Sequence, residues 1–262
     1  MSKHSISHAS QLYFGDAYNA VAYGSNGRPG APINPLTKVS LGSPVTLDAD
    51  SIVKAATSTE LPDTATITYT TATDNTTPLD GAIAAPSTVF LNGANVLVWV
   101  LDVPRNVTAT VTHGSSVVAM TILVTGYDYY GVPMSELLTI AATGTSQTAA
   151  GKKSFKYIYS VAFTAAADAT ANTANVGWGD VLGLPYSLAA KSDFFTNGTY
   201  FNAVLESTAP TLVIADATTA TTTTGDVRGT ADLNSAMDGS TVSVWYATDP
   251  ASATTLFGIT QA

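Results

Sequence analysis

The chain has no cysteine. Disulfides, zinc–thiolate centres and cysteine nucleophiles are therefore excluded, and stability has to come from packing and subunit contacts. Charge is scarce too: Asp, Glu, Lys and Arg make up 11% of the residues, against about 25% in ordinary soluble domains. The net charge of −9 reflects 10 Lys and Arg beside 19 Asp and Glu. Lys152, Lys153 and Lys156 form the one local group of cations, too few to track a phosphate backbone, so no nucleic-acid partner is expected. No apolar run reaches the length of about 18 residues that a spanning helix needs, so no membrane partner is expected either. The opening MSKHSISHASQLYFG lacks the apolar centre of a secretory signal, which leads us to expect folding in the cytosol.

What the chain does have is β-branched and small polar residues. At 262 residues with 45% hydrophobic content, it is long enough for one large β domain. Its surface has to be covered by Thr, Ser, Asn and Gly, and a weakly charged surface does little to repel neighbours, which suits a subunit of an assembly or a secreted β protein better than a crowded cytosolic enzyme. The clearest pattern lies in residues 107–112. Val107, Ala109 and Val111 alternate there with Thr108, Thr110 and Thr112, the period-2 signature of a half-buried strand. The same alternation is read in Phe155, Tyr157, Tyr159, Val161 and Phe163, with Lys156 and Ser160 opposite and Ile158 as a lapse. The expected fold is all-β.

Residues 1–44 are rich in Gly, Pro, Asn and Tyr and include GSNGRPGAPINP at 24–35. Proline lacks an amide donor and glycine raises chain entropy, so no long regular element is expected. We read an extended N-terminal arm anchored by Tyr13, Phe14, Tyr18 and Tyr23, lying on its own domain or clasping a neighbouring subunit. Residues 45–250 read as an antiparallel β-sandwich, jelly-roll or Ig-like, with a loop insertion at 165–176 and a loose tail at 251–262. Within it, 45–56 and 64–71 read as strands, 104–106 and 113–116 as turns, and 127–133 as a connection to a strand at 136–142. A polar loop is expected at 143–151, and a short helix or loop at 165–171. Residues 177–188 read as a tight glycine-punctuated segment, 193–205 as a hairpin turning at Asn197 and Gly198, and 211–215 and 240–247 as strands. No repeat of solenoid length is present.

The candidate chemistry is thin. His4 and His8 are four apart but lack a third metal ligand, and His113 has no G-x-S-x-G partner; all three read as solvated side chains. Gly177, Gly179 and Gly183 are spaced as GxGxxxG without a following Lys-Ser/Thr, which reads as a structural turn. Asp48, Asp50, Asp74 and Asp80 carry oxygen ligands without EF-hand spacing. The sequons at Asn75, Asn106 and Asn197 read as turn asparagines. No cofactor or metal site is expected. Tyr127, Tyr129 and Tyr130 sit in a loop, where tyrosines supply contact area with a hydrogen-bonding tip; they fit a subunit interface better than a sugar platform.

Five blocks occur in order. They are Pro104, Arg105, Asn106 and Val107; Val124, Gly126, Asp128 and Gly131; Glu136 and Ile140; Lys153, Phe155, Lys156, Ile158, Ser160 and Val161; then Gly177, Gly179, Asp180, Leu182, Gly183, Leu184 and Pro185. This succession, closed by DGSTVSVWYA at 238–247, resembles a module of virion structural proteins of tailed bacteriophages. The resemblance implies a non-enzymatic decoration or cement protein on the capsid surface of a virion, made in the host cytoplasm. Its expected partner is the major capsid protein, and its expected state is a homotrimer. Tyr13, Phe14, Tyr18, Tyr23, Tyr127, Tyr129 and Tyr130 are the expected interface residues. A tail or surface adhesin for host glycans and a tail-tube or connector component are the alternatives.

Overall fold

The computed structural model describes residues 36–53, 60–61, 67–70, 86–113, 119–164, 172–188, 198–213 and 221–247. Among them there is no helix, and every strand pairing is antiparallel. The chain is all-β, as its alternating aliphatic and hydroxyl residues lead one to expect. Two sheets and two apolar cores make up the fold.

The larger sheet is built around one long strand, β6 (Ala94–Thr112). We number the strands in chain order. The first part of β6 pairs with β5 (Ser87–Leu91), its middle with β10 (Phe155–Phe163), and its last part lies between β9 (Ser146–Ala150) and β11 (Asn172–Gly183). From β10 the sheet runs through β7 (Met120–Tyr127) to β8 (Pro133–Ile140). From β11 it runs through β15 (Thr230–Asp232) to β14 (Thr211–Val213). Short strands β2 (Asp48–Val53) and β3 (Glu60–Leu61) pair with β11, and β4 (Ile67–Thr70) with β10. The sheet curls until Glu136 on β8 accepts the amides of Lys152 and Lys153, just past β9. The main core fills this curl, and Val107, Ala109, Val111, Ile122, Val124, Phe155, Val161 and Phe163 are all fully buried there. Each Val, Ile or Phe among them contributes about 1.5–3 kcal/mol.

The smaller sheet runs β1 (Leu36–Gly42), β16 (Val242–Ala247), β12 (Gly198–Phe201) and β13 (Val204–Leu205). A second core joins it to the larger sheet: Val39, Leu41, Val242, Val244 and Tyr246 pack with Val103, Leu182, Leu184 and Ala231. β1 falls within the stretch read as an arm, yet Val39 and Leu41 alternate into this core and the strand pairs with β16. The arm reading is thereby confined to residues before 36. Those residues lie outside the described ones, as do 165–171 and 251–262.

Several local expectations are corrected. Residues 104–106 are not a turn but part of β6. Val100 pairs with Tyr157 and Arg105 with Phe155, so four residues of β6, including Pro104, bulge out opposite Lys156 alone. A bulge is where a central strand tolerates a proline. On β10 the ladder slips between Phe155 and Tyr157 against β6 and again between Ile158 and Ser160 against β7, so the side-chain phase is reversed between the two slips and restored at Val161 and Phe163. Ile158 is fully buried and Tyr159 exposed, the reverse of an unbroken alternation. Ser146–Ala150, read as loop, is a strand, its Thr148 hydroxyl 2.7 Å from that of Thr110. Residues 177–183 are strand rather than turn. Of the hairpin read around Asn197 and Gly198, Asn197 lies outside the described residues and Gly198 opens β12; the described hairpin turns at Asn202 and Ala203, both with positive φ (48° and 63°), the pattern of a type I′ turn.

Two of these corrections make opposite predictions for stability in chemical denaturation. Added to Gly177, a Cβ would stand 1.8 Å from the Asp48 carbonyl oxygen, so Gly177→Ala forces β2 off β11 and is expected to cost about 3 kcal/mol. Ala203 occupies a left-handed conformation unfavourable to a residue with a Cβ, and Ala203→Gly is expected to gain roughly 1 kcal/mol.

Candidate functional site

Where the two sheets meet, the surface opens into a groove of about 530 Å³. β1 and the bulge of β6 form one wall, the loop 128–132 and the segment 183–186 after β11 the other. Leu41, Val103 and Leu184 lie buried at its base, while Tyr129, Tyr130 and Tyr186 stand on its rim, 54%, 51% and 51% exposed. The rings of Tyr129 and Tyr130 meet edge to face with centroids 5.1 Å apart.

The tyrosines are held in place by groups beneath them. Asp128, buried at the end of β7, accepts the amides of Tyr130 (2.8 Å) and Val132 (2.9 Å) through Oδ1. Its Oδ2 forms an ion pair with Arg228 Nη1. The Arg228 guanidinium lies 4.6 Å from the centroid of the Tyr130 ring, a cation–π stack. Tyr130 Oη donates to the Pro185 carbonyl at 2.8 Å, tying the loop to the segment after β11 on the same wall. Burial pushes the Tyr130 hydroxyl up from its ordinary pKa despite the attraction of Arg228, so it remains a donor at neutral pH. Behind Tyr186, the buried Tyr246 hydroxyl accepts the Tyr186 amide (3.2 Å) and donates to its carbonyl (2.9 Å). Backbone and ring positions along the rim are thus set before any ligand arrives, which lowers the ordering cost of binding.

Below the groove lies a cluster of buried charges. Asp226 accepts the Ser154 amide (3.1 Å) and hydroxyl (2.7 Å) and the Arg228 amide (2.9 Å). Lys153, fully buried, donates from Nζ to the carbonyls of Ser135 (2.8 Å) and Thr221 (2.6 Å). Glu136 sits against the amides of Lys152 and Lys153. Burial raises the Asp226 carboxyl and lowers the Lys153 ammonium from their ordinary values. It pushes Glu136 from 4.5 to about 7, opposed by the amides and by Lys153. Together these contacts pin the 151–154 turn, β8 and the 221–228 segment to one another.

The sequence-based candidates fare unevenly. Tyr129 and Tyr130 are displayed as an interface or ligand surface would need, whereas Tyr127 is half-buried on β7 opposite Tyr157. Tyr13, Phe14, Tyr18, Tyr23, His4, His8, Asp74, Asp80, Asn75 and Asn197 lie outside the described residues. His113 is buried at the end of β6 rather than solvated. Asn106 is not a turn residue: it is buried on β6, its Nδ2 donating to Gly151 and its Oδ1 accepting from Val181. Gly179 and Gly183 lie against Asn106 and Ser154 respectively, leaving no room for a Cβ. Asp50 caps back onto Asp48 through its amide. Among the described residues, no three His, Asp or Glu side chains gather as a metal site would require.

Sequence reasoning missed Tyr186 and Arg228 as members of the site. Arg228 carried a usable signal: with Asp226 it is an opposite-charge pair inside an otherwise uncharged threonine-rich run.

Two predictions test the frame. Asp128→Ala removes the partner of Arg228 and two amide caps, with an expected cost of about 3 kcal/mol, while Tyr129→Ala is expected to stay within about 0.5 kcal/mol. For Glu136, the folded pKa lies above the unfolded one, so the native state holds the proton more tightly between pH 4.5 and about 7. Its contribution to stability is greatest below pH 4.5 and is lost as pH rises through this window. Glu136→Gln is expected to flatten that decline in urea midpoints measured from pH 4.5 to 7.5; an unchanged slope would refute the assignment.

Compared with known protein families, curated proteins and solved structures, the chain matches none.

Proposed function

We propose that this chain is a non-enzymatic structural component of a tailed-phage virion, a decoration or cement protein that binds the lattice of the major capsid protein. One observation carries the reading: large apolar side chains are displayed at the tips and rims of a weakly charged surface. Phe90 on the β5–β6 hairpin is 70% exposed, and Val204 and Leu205 on the β12–β13 hairpin are 68% and 54% exposed. With the tyrosines of the groove, they give three separate contact points on one protomer. Adjacent pairs of them, Val204 with Leu205 and Tyr129 with Tyr130, are the apolar surface the reading rests on. Few charges need to shed water when such a surface docks. Several weak contacts made at once, multiplied over a homotrimer, give avidity without any single strong site.

The order of motif blocks that resembles a module of virion proteins supports the same reading. The resembling residues Asp128, Glu136 and Lys153 are the ones that brace the groove and its loops. The tyrosine rim favours a second reading, an adhesin that stacks glycan rings on Tyr129 and Tyr186.

Co-sedimentation with empty capsids separates the two. The protein is expected to pellet with capsids, raise the temperature at which full particles release DNA, and lose capsid affinity at least tenfold in Phe90→Asp and Val204→Asp, with unchanged melting temperature. Absence of capsid binding, together with glycan-array signals abolished by Tyr129→Ala, would favour the adhesin instead.

A further inference from the structure

The groove has a shape and chemistry that fit a particular kind of occupant. Its polar side chains are already engaged: Lys156 Nζ donates to the carbonyls of Leu101 and Asp102, and Arg228 holds Asp128. What it offers is aromatic and pyrrolidine surface, from Tyr129, Tyr130, Tyr186, Pro104 and Pro185. A ligand that brings many hydrogen-bond donors would find few acceptors. A proline-rich strand brings few donors, and aromatic-lined grooves are how proteins receive polyproline II segments.

The chain itself contains such a segment. In RPGAPINP at 28–35, Pro29, Pro32 and Pro35 are spaced by three, the period of a polyproline II helix, so all three fall on one edge. At about 3.1 Å per residue they span about 19 Å. Asp102, which also lines the groove, is engaged as well: its Oδ2 accepts the Val45 amide at 2.8 Å and its Oδ1 lies 3.4 Å from Arg105 Nη1.

Reach decides whose groove is filled. Pro35 is bonded to Leu36, which pairs with Ala247 at the start of β1, whereas the groove begins at Val39, about 10 Å further along the strand. For its own prolines to enter, the chain would have to double back within one residue of a paired strand end. A second copy carries no such restriction.

We infer that the tyrosine-rimmed groove receives the proline-spaced segment 28–35 of a second copy of this chain. The exchange is head-to-tail: each protomer gives one segment and receives one. Such a contact closes into a ring when the rotation between copies allows it, which deepens the trimeric part of the proposed function and rests on it only for the number of copies.

Sedimentation velocity of the full-length protein, without capsids, tests this. Wild type is expected to form a closed oligomer. A plug variant (Pro29→Ala, Pro32→Ala, Pro35→Ala) and a socket variant (Tyr129→Ala, Tyr186→Ala) are each expected to be monomeric with unchanged melting temperature. Mixed, the two are expected to form a one-to-one heterodimer and no ring, because one intact segment meets one intact groove. A peptide of residues 26–37 is expected to bind the plug variant and to bind the socket variant at least tenfold more weakly. Monomeric wild type, a plug variant that still assembles, or equal binding of a scrambled peptide would each overturn the proposal. Loss in the socket variant alone would also overturn it, and would point to a different ligand such as a saccharide. Capsid co-sedimentation is read separately, so failure here leaves that reading standing, and failure there leaves this one.

Discussion

The fold depends on putting a few of its scarce charges inside. Of 10 Lys and Arg in the whole chain, Arg105, Lys153 and Arg228 are buried, as are Asp128, Glu136 and Asp226. Removing ions from water costs several kcal/mol each unless their hydrogen bonds are replaced. Here backbone groups do most of the replacing. Lys153 meets two carbonyls, Asp226 two amides and a hydroxyl, and Asp128 two amides and a guanidinium. Arg105 spans the two cores, donating to the Val45 carbonyl and contacting Met237 sulfur, with the Asp102 carboxylate 3.4 Å from its Nη1. Each ion therefore fixes irregular backbone that no ladder would hold: the bulge of β6, the 128–132 loop, the 151–154 turn and the threonine-rich 221–228 run.

This explains what could be read in advance. Where the ladder is regular, the alternation is legible: β7 buries Met120, Ile122, Val124 and Gly126 and leaves the intervening residues half-covered, and residues 107–111 of β6 behave likewise. Where the ladder slips, the alternation misleads, because one extra residue reverses the side chains until a further slip restores the phase. Tyr159 is such a residue on β10, and the lapse at Ile158 beside it is the one mark of it in FKYIYSVAF. Composition misled at 146–150 and 177–183 for a different reason. Polar and glycine-rich strands are chosen there for what crosses them, with Asp48 over Gly177 and Asn106 against Gly179, and those neighbours are distant in sequence. The hairpin at Asn202 and Ala203 was hidden because alanine is a poor left-handed residue, so a more attractive Asn-Gly pair drew the turn elsewhere.

The same separation governs the site. Tyr129 and Tyr130 were visible as aromatics in a loop. Tyr186 and Arg228 join them only because β11 runs back along β6 while the 221–228 segment passes beneath the groove. The blocks read from the sequence as resembling virion proteins include Asn106, Asp128, Glu136, Lys153 and several glycines, which the structure uses as braces rather than displays. A motif made of braces identifies a scaffold, and it says less about what the scaffold holds.

That distinction bears on how such a surface can bind. A site built from ions would be specific but sensitive to salt, since exposed charges are screened within about 10 Å at ordinary ionic strength. This chain spends its ions on internal bracing and presents aromatic and aliphatic groups outward. Contacts of that kind are individually weak and tolerant in direction, so they acquire selectivity only if their spacing is rigid. The buried charges supply the rigidity: they hold the tyrosine rim to the lip of β11, and β1 holds the opposite wall through its pairing with β16. The interior electrostatics and the apolar exterior are thus two halves of one arrangement, in which buried ions fix the geometry of the groups displayed outside.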